Sequence, residues 1–231
     1  GTFTLGGRGL PDDFVVEGAT DDARVVLATE RVTDVFAPVV ATFSTEGRNV
    51  EMTARATSEK MGPIEAKGRY AIEERSWEGT LGFDPARVVS PFLTKESSRK
   101  VVPALLAGYG PSTFDCFAAL PAGGRENVAL RLARRGEPAL QVEAEMVRTK
   151  EGYRLGPLEG AATLPLANSA EYLPDSIRAE GTAGLAFERS LEDKSFRADL
   201  DLADAAVTFG AFVQKRAGTP ATVAIEGEAS Q

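Results

Sequence analysis

The chain is a succession of stretches in which apolar and polar residues alternate, each closed by Gly, Pro, Asn or Asp. From Val50 to Thr57 the apolar set Val50, Met52, Ala54 and Ala56 interleaves with Glu51, Thr53, Arg55 and Thr57, the period of two that gives a strand one dry face. Ile64, Ala66, Tyr70 and Ile72 alternate with Glu65, Lys67 and Arg69, and Leu140, Val142, Ala144 and Met146 with Gln141, Glu143 and Glu145. Further on, Ile177, Ala179, Ala183, Leu185 and Phe187 alternate with Arg178, Glu180, Thr182 and Glu188. The repetition predicts a mostly β protein built on a long antiparallel sheet with one oily and one wet side.

About twelve strand candidates follow, near 24–29, 39–46, 49–57, 63–73, 76–83, 112–119, 126–134, 138–148, 153–166, 176–188, 195–209 and 220–228. Turns such as Glu46-Gly47-Arg48-Asn49 supply residues that accept positive φ, and short connections imply a meander in which consecutive strands are neighbours. The expected architecture is a single elongated domain over 1–231, strongly curved into an open trough or half-barrel, with 1–110 and 111–231 as its candidate sub-units. A β-sandwich, in which the apolar faces pack on each other, is the alternative the pattern leaves open.

The rhythm breaks between Asp84 and Gly110, where Pro85, Pro91 and Pro103 rule out one long helix. Ser97 or Ser98 can cap a short helix through Val101, Val102, Leu105 and Leu106, with Gly108 as its stop, and Glu30 to Phe36 is a second helical candidate. Such helices plug the end of a sheet or cover an edge; a lid or docking element is the functional alternative. Leu10–Gly18 also aligns without gaps on Leu173–Gly181 with five identities, which suggests a reused loop and strand.

Composition narrows the function. The 231 residues are 43% hydrophobic, enough for a substantial core, and carry a net charge of -8 with Lys and Arg scattered along the polar faces. No basic stripe exists for nucleic acid or an anionic membrane surface. Histidine is absent, which removes the commonest general base and transition-metal ligand. The single cysteine, Cys116, lies in the apolar run Phe114, Cys116, Ala118, Leu120 and reads as a small buried hydrophobe. No apolar run approaches the length of about 20 residues that spans a bilayer as a helix. At 7%, aromatic residues are too few for the two interfacial girdles of a transmembrane barrel. The start at Gly1-Thr2-Phe3 gives the expectation of a fragment of a longer protein, with any anchor outside it.

Candidate chemistry is weak. Asp199, Asp201 and Asp204 lie close together, but Arg197, Asp199 and Asp201 alternate with Phe196, Ala198, Leu200 and Leu202 and read as a solvated strand face. Asp12, Asp13, Asp21 and Asp22 read as turn and cap residues without calcium-loop spacing. Gly6-Gly7-Arg8-Gly9 neither follows a convincing strand nor opens a helix, and Lys95 and Lys100 beside Ser97 and Ser98 read as a solvated helix start. No catalytic residue, metal site or cofactor is expected.

The passage from Phe196 to Glu228 is more specific. Asp201-Leu202-Ala203-Asp204-Ala205-Ala206-Val207 ends one alternating strand, and Lys215-Arg216-Ala217-Gly218-Thr219-Pro220-Ala221 leads into another. This resembles the "strand, aspartate-leucine, small residues, then Lys-x-x-Gly-x-Pro-Ala" passage of AsmA-like proteins, carried by Asp201, Leu202, Lys215, Gly218 and Pro220, with Arg216 where that family's pattern has Pro. The close resemblance covers about 35 residues near the C-terminal end. AsmA-like proteins belong to the Gram-negative envelope, anchored in the inner membrane and extending through the periplasm, and the best understood resemble a long sheet folded lengthwise like a taco that conducts phospholipids toward the outer membrane. The resemblance implies a periplasmic segment tethered to the inner membrane from outside this sequence. It also implies phospholipid or fatty-acyl chains as ligands, inner- and outer-membrane proteins as partners, and no nucleic acid. A scaffold for envelope assembly without lipid conduction is the alternative. The candidate groove residues are Val50, Met52, Ala54, Ile64, Ala66, Tyr70, Leu140, Val142 and Ala144, followed by Ile177, Leu185, Phe187, Phe196 and Leu200.

Overall fold

In the computed structural model, which describes residues 3–8, 15–28, 33–93, 96–119, 127–149, 152–167, 175–190, 195–210 and 213–228, the alternating stretches become strands of one antiparallel sheet. The first six are β1 (Phe3–Arg8), β2 (Val15–Ala28), β3 (Thr33–Glu46), β4 (Asn49–Ser58), β5 (Gly62–Ala71) and β6 (Ser76–Phe83). Two helices, α1 (Pro85–Val89) and α2 (Glu96–Ala107), interrupt the meander, with a 3-10 turn at Ser90–Phe92 between them. The sheet resumes with β7 (Ser112–Ala119), β8 (Val128–Arg134), β9 (Leu140–Thr149), β10 (Gly152–Pro165), β11 (Ile177–Arg189) and β12 (Ser195–Asp201). It ends with β13 (Ala205–Phe209), β14 (Val213–Lys215) and β15 (Thr222–Glu228).

Consecutive strands are neighbours from β1 through β12, and β15 follows β12 at the far edge. Because β1 and β15 do not pair with each other, the sheet stays open. One sheet forms rather than two stacked ones, so the sandwich alternative does not arise. The β6–β7 ladder, from Ser76↔Ala119 to Phe83↔Ser112, carries the sheet unbroken across the helical interruption.

Near the C-terminal end the sheet bends sharply across its strands. The half of β11 from Gly184 to Arg189 pairs with β12, while Ile177–Gly181 pairs with β13, which in turn pairs with β14. β12 and β13 are therefore one strand broken at a corner, as are β14 and β15. Ala179 and Val207 from one arm and Leu185 and Leu200 from the other pack on a common buried cluster containing Ala183 and Ala205. The apolar face is thus the inside of the bend.

Of the two helices, α2 falls on the stretch expected to be helical, its first turn starting at Glu96 ahead of Ser97 and Ser98, whereas α1 was not expected; both sit at one end of the strands. Asp84 caps α1 by accepting from Ala86 N at 3.0 Å and Arg87 N at 3.5 Å, with Pro85 in the first turn where a missing N–H costs nothing. Leu106 in the last turn of α2 and Tyr109 just beyond it pack into the bend against Ala162, Leu164 and Leu166, as a plug does. The Tyr109 hydroxyl donates to Thr163 O at 2.6 Å, with Ala139 O at 3.2 Å, and burial pushes its pKa up to about 12.

Three expectations need correction. The helix expected at Glu30 to Phe36 is absent over its described part: Thr33–Phe36 begins β3 and pairs with β2, because ladder bonds and the pairing of Phe36 with Val25 and Ser58 outweigh a weak helical propensity. Residues 30–32 lie outside the described residues. Asp21 and Asp22 are not a turn between strands but lie inside β2, where its register with β3 shifts between Thr20 and Ala23; such a bulge tolerates turn-forming residues. The strand expected over 195–209 breaks at Leu202–Asp204, the corner described above.

Candidate functional site, an open apolar face

Directly paired residues of an antiparallel ladder point to the same side, so register identifies faces without ambiguity. One cross-strand row runs Phe43↔Met52↔Gly68↔Gly79↔Cys116 and continues Leu132↔Val142↔Gly160↔Phe187↔Ala198↔Ile225. At its other end Gly18 and Leu5 extend the pairing to β1. No position of this row carries a charge over thirteen strands, a span of about 58 Å at ~4.8 Å per step.

The register places Val50, Met52, Ala54, Ile64, Ala66 and Tyr70 on this face through the β4–β5 ladder. Leu140, Val142, Ala144, Leu185, Phe187, Phe196 and Leu200 join them through β9 to β12. Ile177 stands apart, beyond the corner on the second arm, paired with Phe209. Along β4 and β5 these side chains are half-buried, while Glu51, Thr53, Arg55, Glu65, Lys67 and Arg69 on the reverse side are exposed.

The face is closed at its helical end and open toward the other. Phe114 is fully buried and stacks on Phe83 at 4.5 Å between ring centroids; Met61, Pro85 and Ala104 are buried there as well. Asp34 and Ser58 form a hydrogen-bonded pair at this end, and the Ser58 hydroxyl holds the Asp34 carboxyl below the usual carboxylate range. Arg134 also belongs here: its Nε donates to Ser112 Oγ at 2.9 Å, its Nη1 to Pro138 O at 2.9 Å, and its guanidinium lies 5.7 Å from the Tyr109 ring centroid. Toward the open end, aromatic rings lie on glycines. A Cβ on Gly160 would meet the Phe187 ring at 2.5 Å, and one on Gly68 would meet the Trp77 ring at 2.7 Å. Trp77, Arg134 and Arg189 stand on this face although the alternation did not single them out; for Trp77 the available signal was the nearby glycines Gly68 and Gly79, on which its ring rests.

The five motif residues build the corner rather than the wall, and Leu202 also packs on the buried cluster inside the bend. Asp201 Oδ1 accepts from Ala203 N at 2.9 Å, Leu202 N donates to Ala221 O at 2.8 Å, and Gly218, at φ +83, donates to Ala203 O at 2.8 Å. Lys215 Nζ donates to the carbonyls of Ala205 at 2.7 Å and Arg216 at 3.2 Å, and Pro220 immediately precedes Ala221.

Candidate chemistry does not assemble. Asp199 is held by Arg197 at 2.9 Å, a contact that raises the Arg197 pKa, and Asp201 serves the corner. Among the described residues no three His, Cys, Asp or Glu side chains come together as metal ligands would. A depression of about 490 Å³ on the polar face is lined by Glu143, Glu159, Glu188, Arg197 and Asp199, and Arg131 pairs with Glu143 at 2.8 Å. The three glutamates face one another directly across the ladder, with Arg131 paired to Glu143 and Arg197 to Glu188 on either side, so they form a charged row on the polar face of the sheet. Cys116 lies on the apolar face, where burial pushes its thiol pKa up and disfavours the reactive thiolate. No helix of the described residues is long and apolar enough to cross a membrane. The chain matches no family model, no curated protein and no solved structure.

Proposed function

We propose that this chain is a non-catalytic periplasmic segment, tethered to the inner membrane, whose open apolar face shields acyl chains and supports phospholipid movement between inner and outer membranes. One observation carries the reading: a charge-free row continuous over thirteen strands of a sheet that does not close. Exposing a methylene costs about 0.8 kcal/mol, so a chain of about sixteen carbons meets on the order of 12 kcal/mol in water, and a continuous dry wall removes most of that barrier. Glycine, alanine, valine and leucine on the wall offer few hydrogen-bonding groups, so a lipid slides rather than lodges. The resemblance to AsmA-like proteins supports the same reading, and inner- and outer-membrane proteins are its proposed partners.

Mass spectrometry of an organic extract of the purified protein tests it. Co-purified phospholipid or fatty acid, and binding of a fluorescent phospholipid that chelators leave unchanged, are expected. A lipid-free protein that binds no fluorescent lipid points instead to a scaffold for envelope assembly.

A further inference from the structure

Trp77 Nε1 and Arg189 Nε are buried side-chain donors with no hydrogen-bond partner among the described residues. Unmatched buried donors are costly, and they are expected where an acceptor arrives from outside. The register shows that the two belong together. Trp77 pairs with Ala118, Ala118 with Leu130, Leu130 with Ala144, Ala144 with Leu158, and Leu158 with Arg189. Both donors therefore stand in one cross-strand row of the apolar face, five strands or about 24 Å apart.

That row runs along the open end, remote from the helices. Below it lie the charge-free row and then the row of Ala66, Leu81 and Phe114, each about 7 Å deeper at ~3.4 Å per residue. Arg134, the arginine of the deeper row, is satisfied by Ser112 and Pro138, whereas Arg189 Nε is not. A permanently charged planar donor beside deep apolar rows suits a molecule with phosphate at one end and hydrocarbon at the other.

We infer that the row from Trp77 to Arg189 is the level at which the polar ends of glycerophospholipids rest side by side along the trough, Arg189 donating to the phosphate of one and Trp77, five strands away, to an ester oxygen of another, with the acyl chains in the deeper rows. The inference rests on the lipid-trough reading above. Both donors are covered in this structure, so they turn outward to meet an acceptor.

Trp77 is the chain's only tryptophan, so its fluorescence reports this row without interference. The full chain is titrated with phosphatidylglycerol brominated either beside the ester or at the methyl end, and with diacylglycerol and a free fatty acid of matched chain length. Quenching is expected to be stronger from the ester-side bromines, and Arg189→Gln is expected to weaken phosphatidylglycerol binding roughly tenfold while leaving diacylglycerol unchanged. Arg189→Lys, which keeps the charge, should recover part of the loss. Stronger quenching from the methyl end, or equal weakening of both lipids, overturns the row assignment while lipid binding itself stands. A fatty acid that binds as tightly as phosphatidylglycerol overturns the phosphate as the recognised group, and absence of binding by every probe removes the trough reading and this inference with it. Circular dichroism checks the variant's fold; should Arg189→Gln fail to fold, the quenching depth in the unmodified chain decides alone.

Discussion

Gly79 shows how little room the apolar wall leaves for a side chain. A Cβ there would sit 2.2 Å from Lys67 O and 2.5 Å from Gly68 Cα, under the Trp77 ring, whereas at Gly82 on the polar face the nearest atom is Glu65 Cβ at 3.6 Å. Gly79→Ala is therefore expected to cost about 1–3 kcal/mol, and Gly82→Ala to be neutral or slightly stabilising because glycine weakens a strand interior. Urea unfolding of the two variants checks the contrast; equal costs would mean that β5 and β6 do not approach so closely at the glycine pair. Tyr109 gives a second test. Its folded pKa, about 12, lies above the ordinary value of 10.0, so its contribution is fully present below pH 10 and is lost as pH rises toward 12. Tyr109→Phe should be less stable at pH 8 by roughly 1 kcal/mol through its lost hydrogen bond, yet lose stability less steeply between pH 10 and 12. Denaturant midpoints across that range decide it. At this scale the sequence was partly legible: alternation marked Val50, Met52 and Val142 as wall residues, but a glycine opposite an aromatic residue reads as a weak strand until the register is known.

The strands themselves were mostly visible, because a period of two over eight or more residues has no competing explanation. What the pattern hid was where they bend. The stretch from Ser195 to Phe209 reads as one strand, yet β12 and β13 pair with different halves of β11 around Gly181. Gly181, at φ +88, brings its Cα so close to Asp204 that a Cβ would lie 2.4 Å from the carbonyl oxygen. The motif near the C-terminal end was legible as a motif, but its work as a corner brace depends on Lys215 reaching back to Ala205, a contact across the bend that spacing alone does not reveal. Gly181→Ala is expected to destabilise by more than 1 kcal/mol, through both strain and collision. Lys215→Met should cost about 1 kcal/mol by leaving corner carbonyls without their donor. Amide exchange should then quicken first in β13 and β14, with β4 to β6 protected as before. Uniform loss of protection across the sheet would show that the corner is not a separate unit of stability.

For the whole molecule, short turns made the neighbour order predictable, since a meander with tight connections allows little else. Openness was not predictable, because an alternating strand looks the same on a trough wall and in a sandwich core. The difference lies in what stands opposite the apolar face, and along much of β4 to β6 the half-buried pattern marks a wall that is not fully covered. That distinction gives a direct experiment. Val142 occupies the charge-free row near the middle of the sheet, paired with Leu132 and Gly160. Val142→Glu places a carboxylate there that can keep part of its hydration if the wall is open, so it should lower stability by no more than about 1–2 kcal/mol. A sliding acyl chain, however, would have to pass or desolvate that charge. Transfer of a fluorescent phospholipid between vesicles should fall steeply for Val142→Glu and remain unchanged for Glu143→Gln, its neighbour on the polar face. If Val142→Glu instead abolishes cooperative folding, the row is a closed core, and a wall that no lipid can reach conducts nothing.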